Sequence, residues 1–320
     1  MWEVAPSFRL LTSDTAHPVH RPWTEQTRSR VLAAGLHRGW LAELIGPSGY
    51  VPDFLTPAPG SPAPAPATEW DAILATPPDR VRHDLDHLAH HQGHLGPRLT
   101  SLRADPAARL PRLAQEIETY WELALAPYWG RIRAVLDADI FHRARTIAEH
   151  GTGRLFNDLH SSIGWDDTTL NLVRRKRISP RHTPGTGLLL IPSAFTGPGL
   201  RTQVSPPDPP QLAYPARGIG PLWETRPATG TPALVPVLGR SRTLLLTELA
   251  TPASTTELAR RTGLSPAGVS QNLTALRDAG LVSAHRAGRS VLYARTAAAE
   301  TLLDAASLTC STSRRKDRPE

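Results

Sequence analysis

Between Ser254 and Arg295 the hydrophobic period changes twice, and residues of narrow conformational use mark each change. Ser254 or Thr255 can accept from the first free N–H groups of a helix, and Glu257 stands at the capping-box position. That helix turns Leu258 and Ala259 inward and stops at Gly263. Ser265 is a second N-cap, and Pro266 occupies the first helical position, where a missing N–H costs nothing. Val269, Leu273 and Leu276 then repeat at i, i+4, i+7, the inner stripe of an amphipathic helix, with Gly280 to end it. Beyond Gly280 the period becomes that of strands. Leu281-Val282 opens one, Ala287-Gly288-Arg289 turns, and Ser290-Val291-Leu292-Tyr293 returns. Two short helices around a tight turn, followed by a hairpin with a basic tip, specify a winged helix-turn-helix.

The same periodicity sorts the side chains. At about 100° per residue, placing Val269, Leu273 and Leu276 inward turns Ala267, Ser270, Gln271 and Thr274 outward. None of the four is acidic or bulky, which suits a helix entering a major groove, and Gln271 has the geometry to pair bidentately with an adenine edge. Arg286 and Arg289 flank the hairpin tip, within reach of phosphates or the minor groove. The candidate DNA-facing set is Ser265, Ala267, Ser270, Gln271, Asn272, Thr274, Arg277, Arg286, Arg289 and Ser290. A winged helix that binds protein is the alternative, but the polar outer face and the basic wing favour DNA.

These residues carry a resemblance. Leu264-Ser265, Val269-Ser270, Leu273-x-x-Leu276, Ala279-Gly280-Leu281-Val282 and Arg286-x-Gly288-Arg289 stand at the spacing of the ArsR-type (ArsR/SmtB-like) winged-helix transcription regulators. The resemblance runs over roughly residues 233–306 and implies a homodimeric DNA-binding regulator. Upstream, VPDFLTP, LLLIPSAF and YPARGIGPLWE resemble the large N-terminal domain of a subgroup of such regulators with no known effector. Metal sensors of that family often carry a Cys-containing motif in the helix before the reading helix. Here the stretch is STTELARRT, without Cys, His or Asp, which argues against metal sensing there.

Charge points the same way. The chain carries a formal +7 over 320 residues, with a pI near 10.2, and such a balance favours a polyanionic partner. Residues 235–300 hold eight Arg against four acids, whereas residues 1–234 hold only a +2 excess. A single cysteine, Cys310, excludes an intrachain disulfide and a cysteine metal cluster. No apolar run reaches membrane-spanning length and the N-terminus lacks a signal-peptide layout, so a cytoplasmic protein is expected. The abundance of Pro, Ala and Arg beside two Lys suits a high-GC bacterial genome.

Upstream of the winged helix the first 50 residues read as three helices: one around Trp2–Leu11, one from Thr24 to Leu36, and a short one at Leu41–Ile45. Trp23, Trp40 and Tyr50 read as packing aromatics. Six prolines between Pro52 and Pro66 predict an extended loop that crosses the domain. Helices return at Trp70–Leu74, Pro78–Gly93 and Pro106–Ala138, the last kinked or divided by Pro127, and then from Arg131 to His150. His83, His87 and His91 share one helix face, with His90 and His94 nearby. Without a thiolate or second-shell partner, a solvated face is preferred over a metal site. From Gly151 the pattern turns to strands at Thr168–Val173, Gly187–Pro192 and Gln211–Tyr214. Arg174-Arg175-Lys176-Arg177 reads as a solvated loop, and Ser193, outside any Gly-x-Ser-x-Gly elbow, is not read as a nucleophile. The Pro227–Pro232 stretch marks a boundary.

The expected architecture is therefore α+β and mainly helical. An N-terminal domain over 1–230, helical with a small β region, precedes a winged helix-turn-helix over 231–306 and a disordered basic tail over 307–320. The expected function is a DNA-binding transcription regulator, a repressor that reads a pseudo-palindromic operator as a homodimer. No catalytic residue, metal or cofactor is expected; an unknown small-molecule effector is compatible with the N-terminal domain. Two rivals remain: an enzymatic or ligand-binding N-terminal domain with an appended winged helix, and a sequence-independent DNA- or protein-binding module.

Overall fold

The structure is a computed structural model of the chain. It describes residues 1–13, 17–46, 49–61, 64–173, 187–224, 231–287 and 290–313. Its first half is helical: α1 (Val4–Thr12), α2 (Arg21–Ala33), α3 (Trp40–Leu44), α4 (Pro66–Leu74), α5 (Pro78–Gln92), α6 (Pro97–Ala104), α7 (Pro106–Tyr120) and α8 (Trp129–Leu159). Proline opens α4, α5, α6 and α7, which explains how a proline-rich chain is also rich in helix. Short strands follow: β1 (Ile163–Trp165), β2 (Leu170–Leu172), β3 (Leu189–Ser193), β4 (Arg201–Gln203) and β5 (Gln211–Pro215). The C-terminal part holds α9 (Thr231–Leu238), α10 (Arg240–Glu248), α11 (Thr255–Thr262), α12 (Pro266–Asp278), β6 (Val282–Ala287), β7 (Ser290–Arg295) and α13 (Ala297–Ser313). Helices dominate the described residues and the sheets are small, which places the chain in the mainly helical α+β class. Among the described residues no helix is long and apolar enough to cross a membrane.

The chain divides into two compact units that interleave in sequence. One takes residues 1–13, 40–114 and 135–219; the other takes 14–39, 115–134 and 220–320. The units therefore do not coincide with the expected linear division at residue 230.

In the first unit, Phe8, Leu41, Leu44, Phe54, Ile73, Leu85, Leu88, Leu99 and Leu102 form a buried helical core. A smaller apolar cluster of Phe156, Leu159, Ile163, Leu212 and Tyr214 lies by the strands. β3 runs parallel to the central β5 and β4 antiparallel to it, while β1 and β2 form a separate antiparallel pair. The proline-rich stretch is an ordered crossing segment. Phe54 and Leu55 are buried, and Asp53 is pinned by Gln203 Nε2 to its carbonyl (3.1 Å) and Ser205 Oγ to its carboxylate (2.7 Å). Ser193 is buried and donates to the buried Glu3 carboxylate (2.9 Å), which also accepts from the N–H groups of Ala194 and Phe195. Burial pushes the Glu3 carboxyl up. The His91 ring stacks on Tyr50 with centroids 5.6 Å apart, and the His87 ring lies tilted against it at 4.5 Å.

In the second unit, α2 and residues 115–134 join the winged helix. The main chain widens to a π-turn over Trp121–Leu125 and tightens to a 3-10 turn over Ala126–Tyr128. Pro127 sits in that tight turn. It supplies no N–H and would crowd the carbonyl four residues back, so the ladder re-registers here, and the helix expected over 106–138 is divided. Trp23 of α2, fully buried, donates from its indole to the carbonyl of Ala124 within the π-turn (2.8 Å). At the other end of the chain α13 runs on to Ser313, so residues 307–313, expected in a disordered tail, are helical. Ala305 and Ala306 extend the helix with little side-chain entropy cost.

Candidate nucleic-acid interface

The winged helix is built by its caps and one core. Ser254 accepts from the Glu257 N–H (3.3 Å) at the start of α11, which ends at Gly263 in the left-handed region. Ser265 accepts from the Gly268 N–H (3.1 Å) at the start of α12, with Pro266 next. At its far end the N–H of Leu281 reaches the carbonyl of Leu276 (2.9 Å) and that of Gly280 the carbonyl of Arg277 (2.8 Å). This is the Schellman pairing, and it needs φ of +71° at Gly280, where a side chain would be strained. Leu245 and Leu246 of α10 with its C-cap Leu249, Leu258 of α11, Val269, Leu273 and Leu276 of α12, Val282 and Ala299 close a single apolar core.

One part of the expected cap is different. The Glu257 carboxylate binds Arg260 and Arg261 instead of closing a capping box, both at 2.7 Å. Two guanidiniums at i+3 and i+4 outcompete one backbone N–H as donors, because their bonds are charge-assisted. They hold the Glu257 carboxyl down to about 2.

The burial of α12 follows its sequence period. Val269, Leu273 and Leu276 are at most 1 % exposed, while Ala267, Ser270, Gln271, Thr274 and Arg277 are exposed. Ser265 is exposed with its oxygen engaged as the cap. Asn272 is half-buried and its amide donates to the Gly268 carbonyl (2.8 Å), so its ordered contact is within the helix. β6 and β7 pair antiparallel from Val282↔Arg295 out to Ala287↔Ser290, with Arg286 and Ser290 exposed. Arg289 lies outside the described residues, as do Arg174–Arg177 and the basic residues from Arg314 on. An isolated bridge between Ala253 and Tyr293 adds a third backbone partner to the hairpin.

The cations divide into two groups. Arg240, Arg242, Arg277 and Arg286 are exposed, and Arg277 has only a 3.4 Å contact with its neighbour Asp278. Arg260 and Arg261 are tied to Glu257. Arg295 is largely buried. It donates to the carbonyls of Leu246 (2.6 Å) and Thr247 (2.7 Å) at the end of α10, and to Glu300 (3.4 Å). Arg131, at the start of α8, meets the same Glu300 (3.6 Å) and donates to the carbonyl of Ala250 (3.1 Å). Burial lowers the Arg295 pKa, with Glu300 opposing that shift.

Periodicity did not reveal this support. Residues 121–128 pack on β6 and β7. His285 of β6 lies 3.3 Å from the Glu122 carboxylate and 2.8 Å from the Ser283 hydroxyl. At Gly130 an added Cβ would fall 2.5 Å from the Arg295 carbonyl oxygen and 2.8 Å from the Thr296 carbonyl carbon. The α8 backbone thus abuts the end of β7. The only local hints were Pro127 and a lone glycine.

The outer helices of this segment also pack on each other: Leu303 and Ala306 of α13 pack with Leu234 of α9, flanked by Leu238 and Leu302.

Among the described residues no group of three or more His, Cys, Asp or Glu is placed to hold a metal ion. In comparisons with known proteins, a family model described as a helix-turn-helix domain matches residues 243–283, which run from α10 into β6. No curated protein and no solved structure matches the chain.

Proposed function

We propose that this protein is a transcription regulator that inserts α12 into a major groove and lays the β6–β7 wing along the flanking backbone. One observation carries the reading. A capped, well-packed helix of the matched helix-turn-helix segment presents Ala267, Ser270, Gln271 and Thr274 to solvent, with exposed Arg277 at its end. Phosphate-facing arginines supply affinity and register, and the short polar side chains supply base reading. Repression is the expected sign, since a bound dimer would exclude polymerase from its operator. The reading assigns no enzymatic step. Ser193 and Glu3 are buried against each other and against backbone N–H groups.

The reading is tested by selecting genomic fragments with the purified chain and repeating the measurement with Gln271→Ala. The substitution should cost about 1–3 kcal/mol on the selected operator and little on random DNA. Equal losses on both would remove Gln271 from base reading. Failure to select any sequence would favour the sequence-independent module.

A further inference from the structure

A groove of the first unit remains outside this reading. α8 breaks at Gly151 (φ 79°, ψ 173°) and its two limbs fold back, so that Arg143 Nη1 donates to the carbonyl of Asp158 (3.3 Å). Between the limbs lies an open groove of about 860 Å³, lined by His142, Arg145, Glu149, Arg154, Asp158 and Arg217 among others. Three guanidiniums face two carboxylates there. Both carboxylates are already engaged along their own helix: Arg145 Nε to Glu149 (2.7 Å) and Arg154 Nε to Asp158 (2.7 Å). A guanidinium carries five N–H donors, so one such bridge leaves donors on each arginine for another acceptor.

Arg217 differs from the other two. Its backbone N–H donates to buried Asp139 (3.1 Å), and its Nη1 lies 3.0 Å from His142 Nε2. A guanidinium only donates, so His142 Nε2 is the acceptor of this contact. Asp139 is itself occupied by the Tyr214 hydroxyl (2.8 Å) and by Arg143 at 3.6 Å. Arg217 is therefore oriented at both ends, while its guanidinium has no carboxylate partner among the described residues. Preorganised guanidinium groups recognise planar oxyanions bidentately, and the groove volume exceeds what an inorganic anion fills.

We propose that this groove binds a small organic anion bearing two or more carboxylate or phosphate groups, with Arg217 as the anchor and Arg145 and Arg154 as flanking contacts. This goes beyond the DNA-binding reading and does not depend on it. The test is calorimetric titration of the full chain, without DNA and at constant ionic strength, with citrate and with inorganic pyrophosphate. Saturable binding of either is expected, and the stronger ligand identifies the preferred group. Arg217→Ala should weaken it at least about tenfold, with partial recovery in Arg217→Lys, because one charge-assisted pair is lost. Arg286→Ala, outside the groove, should bind as the parent does. If Arg217→Ala folds poorly, Arg154→Gln, whose side chain is 63 % exposed, replaces it with the same expected direction. Absence of saturable binding of both anions overturns the proposal. So does binding that survives Arg217→Ala and Arg154→Gln, or binding that is lost in Arg286→Ala alone. Operator affinity of Arg217→Ala without anion reports separately on the DNA reading.

Discussion

Arg295 shows how a residue's chemistry is reassigned by where it folds. Counted in sequence it adds to the basic surplus of the winged helix. In the fold it is largely buried, satisfies the last carbonyls of α10 and shares Glu300 with Arg131. Arg260 and Arg261 are similarly committed to Glu257. The cations left exposed in the described winged helix are fewer than the eight arginines suggest, and Arg277 and Arg286 matter correspondingly more. Gly130 is the sharpest single-residue test of the packing around this network. The atoms that a Cβ would meet are backbone atoms, which cannot swing aside. Gly130→Ala should cost about 1–3 kcal/mol, as overpacking does, in urea unfolding of the full chain. An unchanged midpoint would show that the α8 start does not abut β7.

At the level of elements, what could be read in advance was what is local. The caps at Ser254 and Ser265, the glycine stop at Gly280 and the inner stripe of α12 each depend on residues a few positions apart, and all are where their spacing puts them. The Glu257 carboxylate was misassigned because two arginines on the next turn compete for it, and spacing alone cannot rank donors. The seating of residues 121–128 on the wing was not legible at all. It joins positions more than a hundred residues apart, and neither side carries a pattern that names the other. The wing gives its own prediction. Arg286 is exposed on β6, so Arg286→Ala should weaken binding to all DNAs and lower the salt slope by about one unit. An unchanged slope in fluorescence anisotropy would take Arg286 off the backbone.

For the whole molecule, the second unit is larger than the segment that resembles a winged helix. Residues 14–39 and 115–134 belong to it, and Trp23, Ala124 and Arg131 make contacts that a C-terminal fragment lacks. A fragment of residues 231–320 should therefore melt at least about 5 °C below the full chain, or without a cooperative transition, by circular dichroism. An equally stable fragment would make the upstream segments dispensable. Self-association belongs to this scale too. Leu234, Leu303 and Ala306 pack together inside the chain, but Val237 on α9 stays 76 % exposed. A dimer through the outer helices predicts that light scattering at micromolar concentration gives twice the chain mass. Val237→Glu should halve it while leaving the melting curve in place. A parent monomer that binds a single half-site at full affinity would sink the dimer.

The interleaving of the two units also sets an order in time. Residues 14–39 leave the ribosome long before 220–320 are made. At translation speeds of about 5–20 residues per second, a gap of roughly 200 residues lasts about 10–40 s. For that interval Trp23 and its helix have no C-terminal winged helix to join, so the DNA-binding unit cannot finish folding as a nascent N-terminal domain would. It closes only when the last third of the chain emerges. Truncated or stalled products would then carry an unfinished unit and present its apolar faces to chaperones and proteases, with no partly competent DNA binder among them.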